Sequence, residues 1–288
     1  MTTLADALAD ARRHFAAAGI VDAGGDARVL VAGLLGLSST DLITGGGRVL
    51  TGEEQARIED AVARRVAREP VHRILGHRAF LNLDLLLSPE TLEPRPDTEI
   101  LVETLLPFAR KMVAERGACR ILDLGTGTGA ICLALLDLVP GATGVGADVS
   151  AGALETARRN AHVNGVADRF ETVESDWFSA VGGAFDIIVS NPPYIVRSVM
   201  ETLEDEVRLH DPALALDGGP DGLDAYRVIA AGAAEHLRDG GLVAFEIGHD
   251  QKDQVTAIMA AEGFARIDAV RDLGGNDRAL VFARAEGA

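Results

Sequence analysis

The stretch richest in chemical meaning is FDIIVSNPPYI, where an apolar run ends at Ser190 and Asn191-Pro192-Pro193-Tyr194 follows. Two consecutive prolines fix φ at two positions and remove two backbone donors, so the carbonyls of Asn191 and Pro192 are held in set directions. Such a tip suits an amide or aniline-like nitrogen, a poor nucleophile because its lone pair is delocalised into the adjacent π-system. If the Asn191 side-chain oxygen and the Pro192 carbonyl each accept one N–H of an NH2 group, the lone pair turns toward a sulfonium methyl, in line with the departing sulfur. Tyr194 can pack on the flat group, and the transfer needs no metal. The bland alternative is a turn after an edge strand.

A second constellation supplies a nucleoside site. RILDLGTGTGAICLAL runs a buried strand into Gly125-Thr126-Gly127-Thr128-Gly129 and then a helix, the glycines allowing a sharp turn and close approach of a ligand. Nicotinamide and flavin enzymes use related loops. Asp148, closing the next strand about twenty residues on, can accept both hydroxyls of a ribose. Ala130 stands in the slot where pyrophosphate binders prefer a glycine, and no Walker A lysine is present, so the pattern points to an adenosine without a required pyrophosphate. Trp177, in ESDWF after the third strand, can cover an adenine face, with Asp176 reaching the exocyclic amine; a half-buried core tryptophan is the other reading.

Composition narrows the partners. The formal charge is −17, and residues 86–288 carry nearly all of it, with 17 Lys and Arg against 33 Asp and Glu. A field of that sign repels a polyphosphate, so no direct nucleic-acid partner is expected. The seven histidines show no metal-ligand spacing, so no metal is expected, and Cys119 and Cys132 read as buried free thiols. No apolar run approaches the roughly 20 residues of a membrane span. Asp6 and Asp10 interrupt any signal-like start, and a cytoplasmic location is expected.

These residues need a scaffold. From Thr3 to about Gly76 the pattern is helical: Leu4, Leu8, Ala11 and Phe15 share a face, Gly19 marks a C-terminal cap, a second helix starts near Asp26, and Thr51 with Glu54 caps a later one. Residues 77–88 switch to a strand rhythm around Asn82, a two-stranded linker. A helix is expected from about Thr98, then strands at 119–124, 143–148, 169–173, 185–190, 241–247, 265–270 and 279–284 with helices between most of them. The reading is an α/β fold with a mostly parallel seven-stranded, Rossmann-like sheet: a helical domain over 1–75, a β-hairpin linker over 76–90 and a catalytic domain over 91–288.

Taken together, EPVHRILGHRAF, LEPRPDTEILVE, DLGTGTGAICLAL, ESDWFSA, VSNPPYI, EVRLHDPALALDGGPDGLDAYR and RDLGGNDRALVFAR resemble the release factor glutamine N5-methyltransferases of the class I S-adenosylmethionine-dependent fold. The resemblance covers nearly the whole chain. It implies S-adenosylmethionine as cofactor, held by the Gly125–Gly129 loop and Asp148, with Trp177 near the adenine and Arg95 and Thr98 of PRPDTE closing over the methionine end. Asn191, shared with the cofactor side, and Pro192, Pro193 and Tyr194 would grip the glutamine of the Gly-Gly-Gln loop of a class I peptide chain release factor, the enzyme acting as a monomer. Glu93 departs from the pattern, which has an aliphatic residue there.

Three alternatives stand beside this. The first is a methyltransferase acting on an exocyclic amine of a nucleic-acid base, since N-P-P-Y is shared with such enzymes; the acidic balance and the lack of a basic, aromatic-interleaved segment oppose it. The second is a sister family acting on a ribosomal protein glutamine, from which PRPDTE separates this chain. The third is a catalytically silent cofactor-binding protein, which the intact NPPY argues against.

Overall fold

The computed structural model describes residues 1–285. The chain forms two compact units, Met1–His77 with Glu204–His210, and Arg78–Leu203 with the chain from Asp211. The first is helical: α1 (Leu4–Ala17), α2 (Ala23–Leu35), α3 (Ser39–Thr44), α4 (Gly52–Val66) and α5 (Val71–Leu75). Capping boxes open α1 (Thr3 with Asp6), α3 (Ser38 with Asp41) and α4 (Thr51 with Glu54), each satisfying two otherwise orphaned backbone donors. α2 starts three residues before the expected Asp26, capped by Asp22; Gly24 and Gly25 in its first turn are weak helix formers and hide that start. Phe15, Leu30, Val71 and Ile74 build one core and Leu4, Val31 and Ile58 another. Arg65 is buried between Asp26 (2.8 Å) and Glu206 (3.1 Å), so the short segment 204–210 is held to this unit by charge, a tie that no hydrophobic period announces.

The second unit, from Arg78 on, opens in a hairpin of β1 (His77–Phe80, its first residue counted with the first unit) and β2 (Leu83–Leu86). Then come α6 (Thr98–Arg116), β3 (Cys119–Leu124), α7 (Ala130–Leu138), β4 (Ala142–Asp148), α8 (Ala151–Val163), β5 (Phe170–Glu174) and β6 (Phe185–Ser190). After α9 (Asp205–His210, counted with the first unit) follow α10 (Asp224–His236), β7 (Leu237–Glu246), α11 (Lys252–Ala261), β8 (Phe264–Arg271) and β9 (Asp277–Arg284). The hairpin packs on α8, where the Asn160 and Asn164 amides bond the backbone of Leu86 and Asp84.

The sheet order is β5-β4-β3-β6-β7-β9-β8, parallel except that β9 runs antiparallel to both its neighbours. All seven expected strands are present. β7 begins four residues early because Leu237 pairs with Phe185 across a register shift, while Gly240 at φ 71° gives that stretch the look of a turn. The fully buried run of β6, and that of β3 with only Arg120 half-buried, are what a parallel sheet covered on both faces requires. Cys119 and Cys132 are buried free thiols, and burial pushes the Cys119 thiol up to about 12. No helix among the described residues is long and apolar enough to cross a membrane.

Candidate active site

The order of the strands reverses between the parallel neighbours β3 and β6, and register sets what meets there. Leu124 lies opposite Ala147 on one side and Ser190 on the other, and Ser190 lies opposite Phe245. The carboxyl ends of β4, β3, β6 and β7 therefore stand side by side, presenting Asp148, Gly125, Asn191 and Glu246 at one edge. The Ser190 hydroxyl donates to the Leu124 carbonyl at 2.7 Å and ties the two central tips together. A crevice at such a reversal is where open α/β sheets bind ligands.

That crevice is a cavity of about 710 Å³, walled by Arg95, Thr98, Gly125–Thr128, Asp148, Trp177, Asn191 and Pro193 among others. Its charged lining is one-sided: Glu90, Asp148, Asp176, Asp217 and Asp224 against Arg95 alone. Three sequence candidates, Gly129, Pro192 and Tyr194, are not among the lining residues. Gly129 caps α7 at φ 84°, and a Cβ there would stand 2.8 Å from Leu133, so its smallness serves the helix packing. Pro192 is buried, and Tyr194 is packed against the core that holds Phe245 and Tyr226, with burial raising its hydroxyl to about 12.

The loop itself is braced from below. Gly125 and Gly127 have φ of 69° and 54°, and a Cβ at either would meet no atom within 4 Å, so both backbones face open space. Asp148 Oδ2 accepts the Gly127 N–H at 3.0 Å and Oδ1 the Ser150 N–H at 2.9 Å, leaving each oxygen a second lone pair. Asp123, in the same DLGTGTG run but unremarked by sequence reasoning, accepts the Thr126 hydroxyl (2.8 Å) and the Cys132 N–H (3.3 Å). Its Oδ1 is buried without a hydrogen-bond partner, and burial raises the carboxyl to about 7. Trp177 holds a strained φ of 49°, kept there by a knot in which the Ser175 hydroxyl donates to the Trp177 carbonyl and accepts the Ala180 N–H.

Behind the NPPY tip the GGPDG turn acts as a buttress. A Cβ on Gly218 would stand 2.8 Å from Tyr194 Cα, and one on Gly222, at φ 76°, 2.5 Å from the Tyr194 oxygen. Glu93 is satisfied by an ion pair with Arg78, which accounts for a carboxylate where an aliphatic side chain was expected. Arg95 pairs with the buried Asp211 at 2.7 Å. Two further residues escaped the sequence reading. Gln251 gathers the backbone of Tyr194, Gly222 and Gly248, and Glu246 is a buried acid beside Thr98 and Asn191. Only their place at a strand end and a helix start could have flagged them.

This sheet order, with a glycine loop after its first strand, an acid after the second and N-P-P-Y after the fourth, defines a class I methyltransferase, an S-adenosylmethionine-dependent enzyme. A structure of a methyltransferase from Pyrococcus furiosus has the same fold: TM-score 0.54, 22% identity, 82% of this chain and 100% of that one. The family model described as the PrmC N-terminal domain matches residues 6–76, and that of the methyltransferase small domain residues 96–208. A release factor glutamine methyltransferase of Agrobacterium fabrum is 56% identical over 98% of each chain, and one of Cereibacter sphaeroides 46% identical over 97% of this chain and 98% of that protein. The chain belongs to the release factor glutamine methyltransferase family.

The residues present fit the cofactor. Two glycine backbones open onto the cavity, a carboxylate with free lone pairs stands beside them as an acceptor a ribose could use, and the acidic surplus of the wall suits a cationic sulfonium.

Proposed function

We propose that the chain methylates the side-chain amide nitrogen, N5, of the glutamine in the Gly-Gly-Gln motif of class I peptide chain release factors, in the cytoplasm, as a step serving translation termination. The observation that carries this reading is the adjacency of Asn191 and Gly125 across the Leu124–Ser190 pair, an amide-holding tip beside a nucleoside loop in one cavity. S-adenosylmethionine, when bound, supplies an electrophilic methyl group on a sulfonium.

The chain's own residues bind and orient. The Gly125-Thr126-Gly127-Thr128-Gly129 turn and Asp148 hold the nucleoside, Trp177 covers the adenine with Asp176 near its amine, and Arg95 and Thr98 close on the methionine end. The Asn191 side-chain oxygen and the Pro192 carbonyl take the two N–H groups of the glutamine amide, while Pro193 and Tyr194 shape the slot. This converts an encounter into a near-attack geometry, an effect that can supply several kcal/mol of the barrier. The helical unit, close to neutral beside an acidic catalytic unit, docks the release factor body, and the enzyme acts as a monomer on protein with no direct nucleic-acid contact.

Labelled S-adenosylmethionine incubated with a purified release factor tests the reading. One methyl group should appear on the motif glutamine, located by peptide mass spectrometry, and none on a factor whose glutamine is replaced by alanine. Equal labelling of both factors would refute it.

A further inference from the structure

A buried acid stands behind the NPPY tip: Glu246 ends β7, is 1% exposed, and has Oε2 buried without a hydrogen-bond partner. Register puts it beside Asn191, since Ser190 and Phe245 are paired residues of β6 and β7. Between them stands Thr98, whose hydroxyl oxygen accepts from Asn191 Nδ2 at 3.4 Å. We infer that Glu246 is a positioning residue for methyl transfer: through Thr98 it fixes which end of the Asn191 amide faces the substrate.

A carboxylate only accepts, whereas a hydroxyl has one proton to give and lone pairs to receive. Thr98 and the Asn191 amide both favour the ionised Glu246 carboxyl as donors, so an ionised Glu246 draws the Thr98 proton toward itself. With its proton committed, the Thr98 oxygen is left to accept, and the only Asn191 atom able to donate to it is Nδ2. The Asn191 oxygen is then turned the other way, as an acceptor for the substrate N–H. A protonated Glu246 can itself donate to Thr98. The Thr98 proton is then free for the Asn191 oxygen, and the amide can turn over.

Protonation falls in an accessible range. Burial raises the Glu246 carboxyl to about 7 against the lowering by Thr98, Arg278 and Asn191; Asp97 raises it further. Tyr194 and Tyr226 also face it, and both hydroxyls are pushed upward by burial, so they stay neutral through this range. Wild-type kcat should therefore fall as pH drops through about 7, while affinity for S-adenosylhomocysteine changes little.

This inference rests on Asn191 gripping the substrate amide, and the test separates the two. Single-turnover rates are measured from pH 6 to 8.5 for wild type, Glu246→Gln and Asn191→Ala on an intact release factor, with S-adenosylhomocysteine affinity taken alongside. In Glu246→Gln, whose amide can donate or accept, the rate at pH 8 should drop at least about fivefold and the acid limb should flatten, with cofactor affinity within about twofold of wild type. A wild-type profile flat across pH 7, or a Glu246→Gln enzyme with unchanged rate and limb, overturns the role of Glu246. If Asn191→Ala is inactive in that same series, only Glu246 is displaced; if Asn191→Ala is fully active, the grip itself is wrong and the inference falls with it.

Discussion

The side-chain amide of Gln251 donates to the carbonyl oxygen of Tyr194 at 3.0 Å, and so a residue 57 positions downstream holds the last peptide of the NPPY tip. The same nitrogen reaches the Gly222 carbonyl at 3.1 Å, and Oε1 accepts the Gly248 N–H at 3.0 Å. Gly222 passes so close that a Cβ on it would stand 2.5 Å from the Tyr194 oxygen. The GGPDG turn and the start of α11 thus form one clamp whose object is backbone geometry at the proposed site of methyl transfer.

If the clamp matters, Gly222→Ala should damage catalysis with little effect on cofactor binding. An alanine there needs φ near 76° and places its Cβ where the Tyr194 oxygen stands, so the tip must shift. We expect kcat on the release factor to fall at least about tenfold, since misplacing a positioning group costs roughly that or more. Gln251→Ala should act likewise and lower the melting temperature by about 3–10 °C, because several buried backbone groups lose partners at about 1–3 kcal/mol each. Full activity in both variants would show that the NPPY backbone keeps its course unaided.

Asn191→Ala should leave S-adenosylhomocysteine affinity largely in place and slow methyl transfer at least about a hundredfold, through loss of one contact at the reacting nitrogen. A single-turnover assay with saturating cofactor reads this directly. Near-wild-type turnover would remove Asn191 from the site.

Asp148→Ala should act on the cofactor. The variant loses the proposed ribose acceptor and also the partner of the Gly127 and Ser150 N–H groups, so the loop loosens as well. Loss of a charge-assisted pair is worth roughly 1.5–3 kcal/mol, or about 10- to 150-fold in Kd. Calorimetric titration with S-adenosylhomocysteine measures it, and unchanged affinity would contradict a ribose contact.

The parts legible in the sequence were those written in local chemistry. Gly125 to Gly129, Asp148 and Asn191 to Tyr194 follow strands whose apolar runs are unmistakable, so strand and candidate site were read together. What escaped depended on partners far away in the chain. Glu246 reads as the end of an ordinary strand, and its meaning comes from lying beside Asn191, fifty-five positions earlier. Gln251 has no period or motif, only three backbone groups that happen to converge on it. Gly129 fits the glycine rhythm of the loop, yet its contacts are with Leu133 and Ala157. Segment 204–210 joins the helical unit through Arg65 and Arg68 to Glu206, an ion-pair tie that hydropathy does not record.

The docking role proposed for the helical unit is best probed at side chains the fold does not use. Arg57 donates to the Leu34 carbonyl and Arg64 is paired with Glu69, so reversing either would disturb the unit itself. Arg12 and Arg28 are exposed on α1 and α2. Reversal of both to glutamate should raise KM for the release factor by about 3- to 10-fold at unchanged kcat and melting temperature, the pattern of lost ground-state docking. If KM stays at the wild-type value, the release factor does not dock on that face.

Asp123 and Glu246 make the last prediction, because two buried acids beside one cavity should leave a mark on stability. Burial raises both to about 7, from ordinary values of 3.8 and 4.5. The sign follows from which state holds the proton longer. Between about pH 4 and 7 the unfolded chain has released these protons while the folded chain keeps them, so stability falls as pH rises through that window and levels off above it. Each group can contribute on the order of 1–4 kcal/mol. The general repulsion within a chain of charge −17 runs in the same direction, so the diagnostic quantity is the difference between variant and wild type. Asp123→Asn and Glu246→Gln, which remove the ionisation and keep the shape, should melt higher than wild type at pH 8 and differ from it much less at pH 5. Glu246→Gln would then be at once more stable without cofactor and slower in methyl transfer, the combination expected when a buried charge is retained for its effect on a neighbour. Parallel melting curves of variant and wild type across pH 5 to 8 would mean that neither carboxyl changes ionisation within the folded protein in that range.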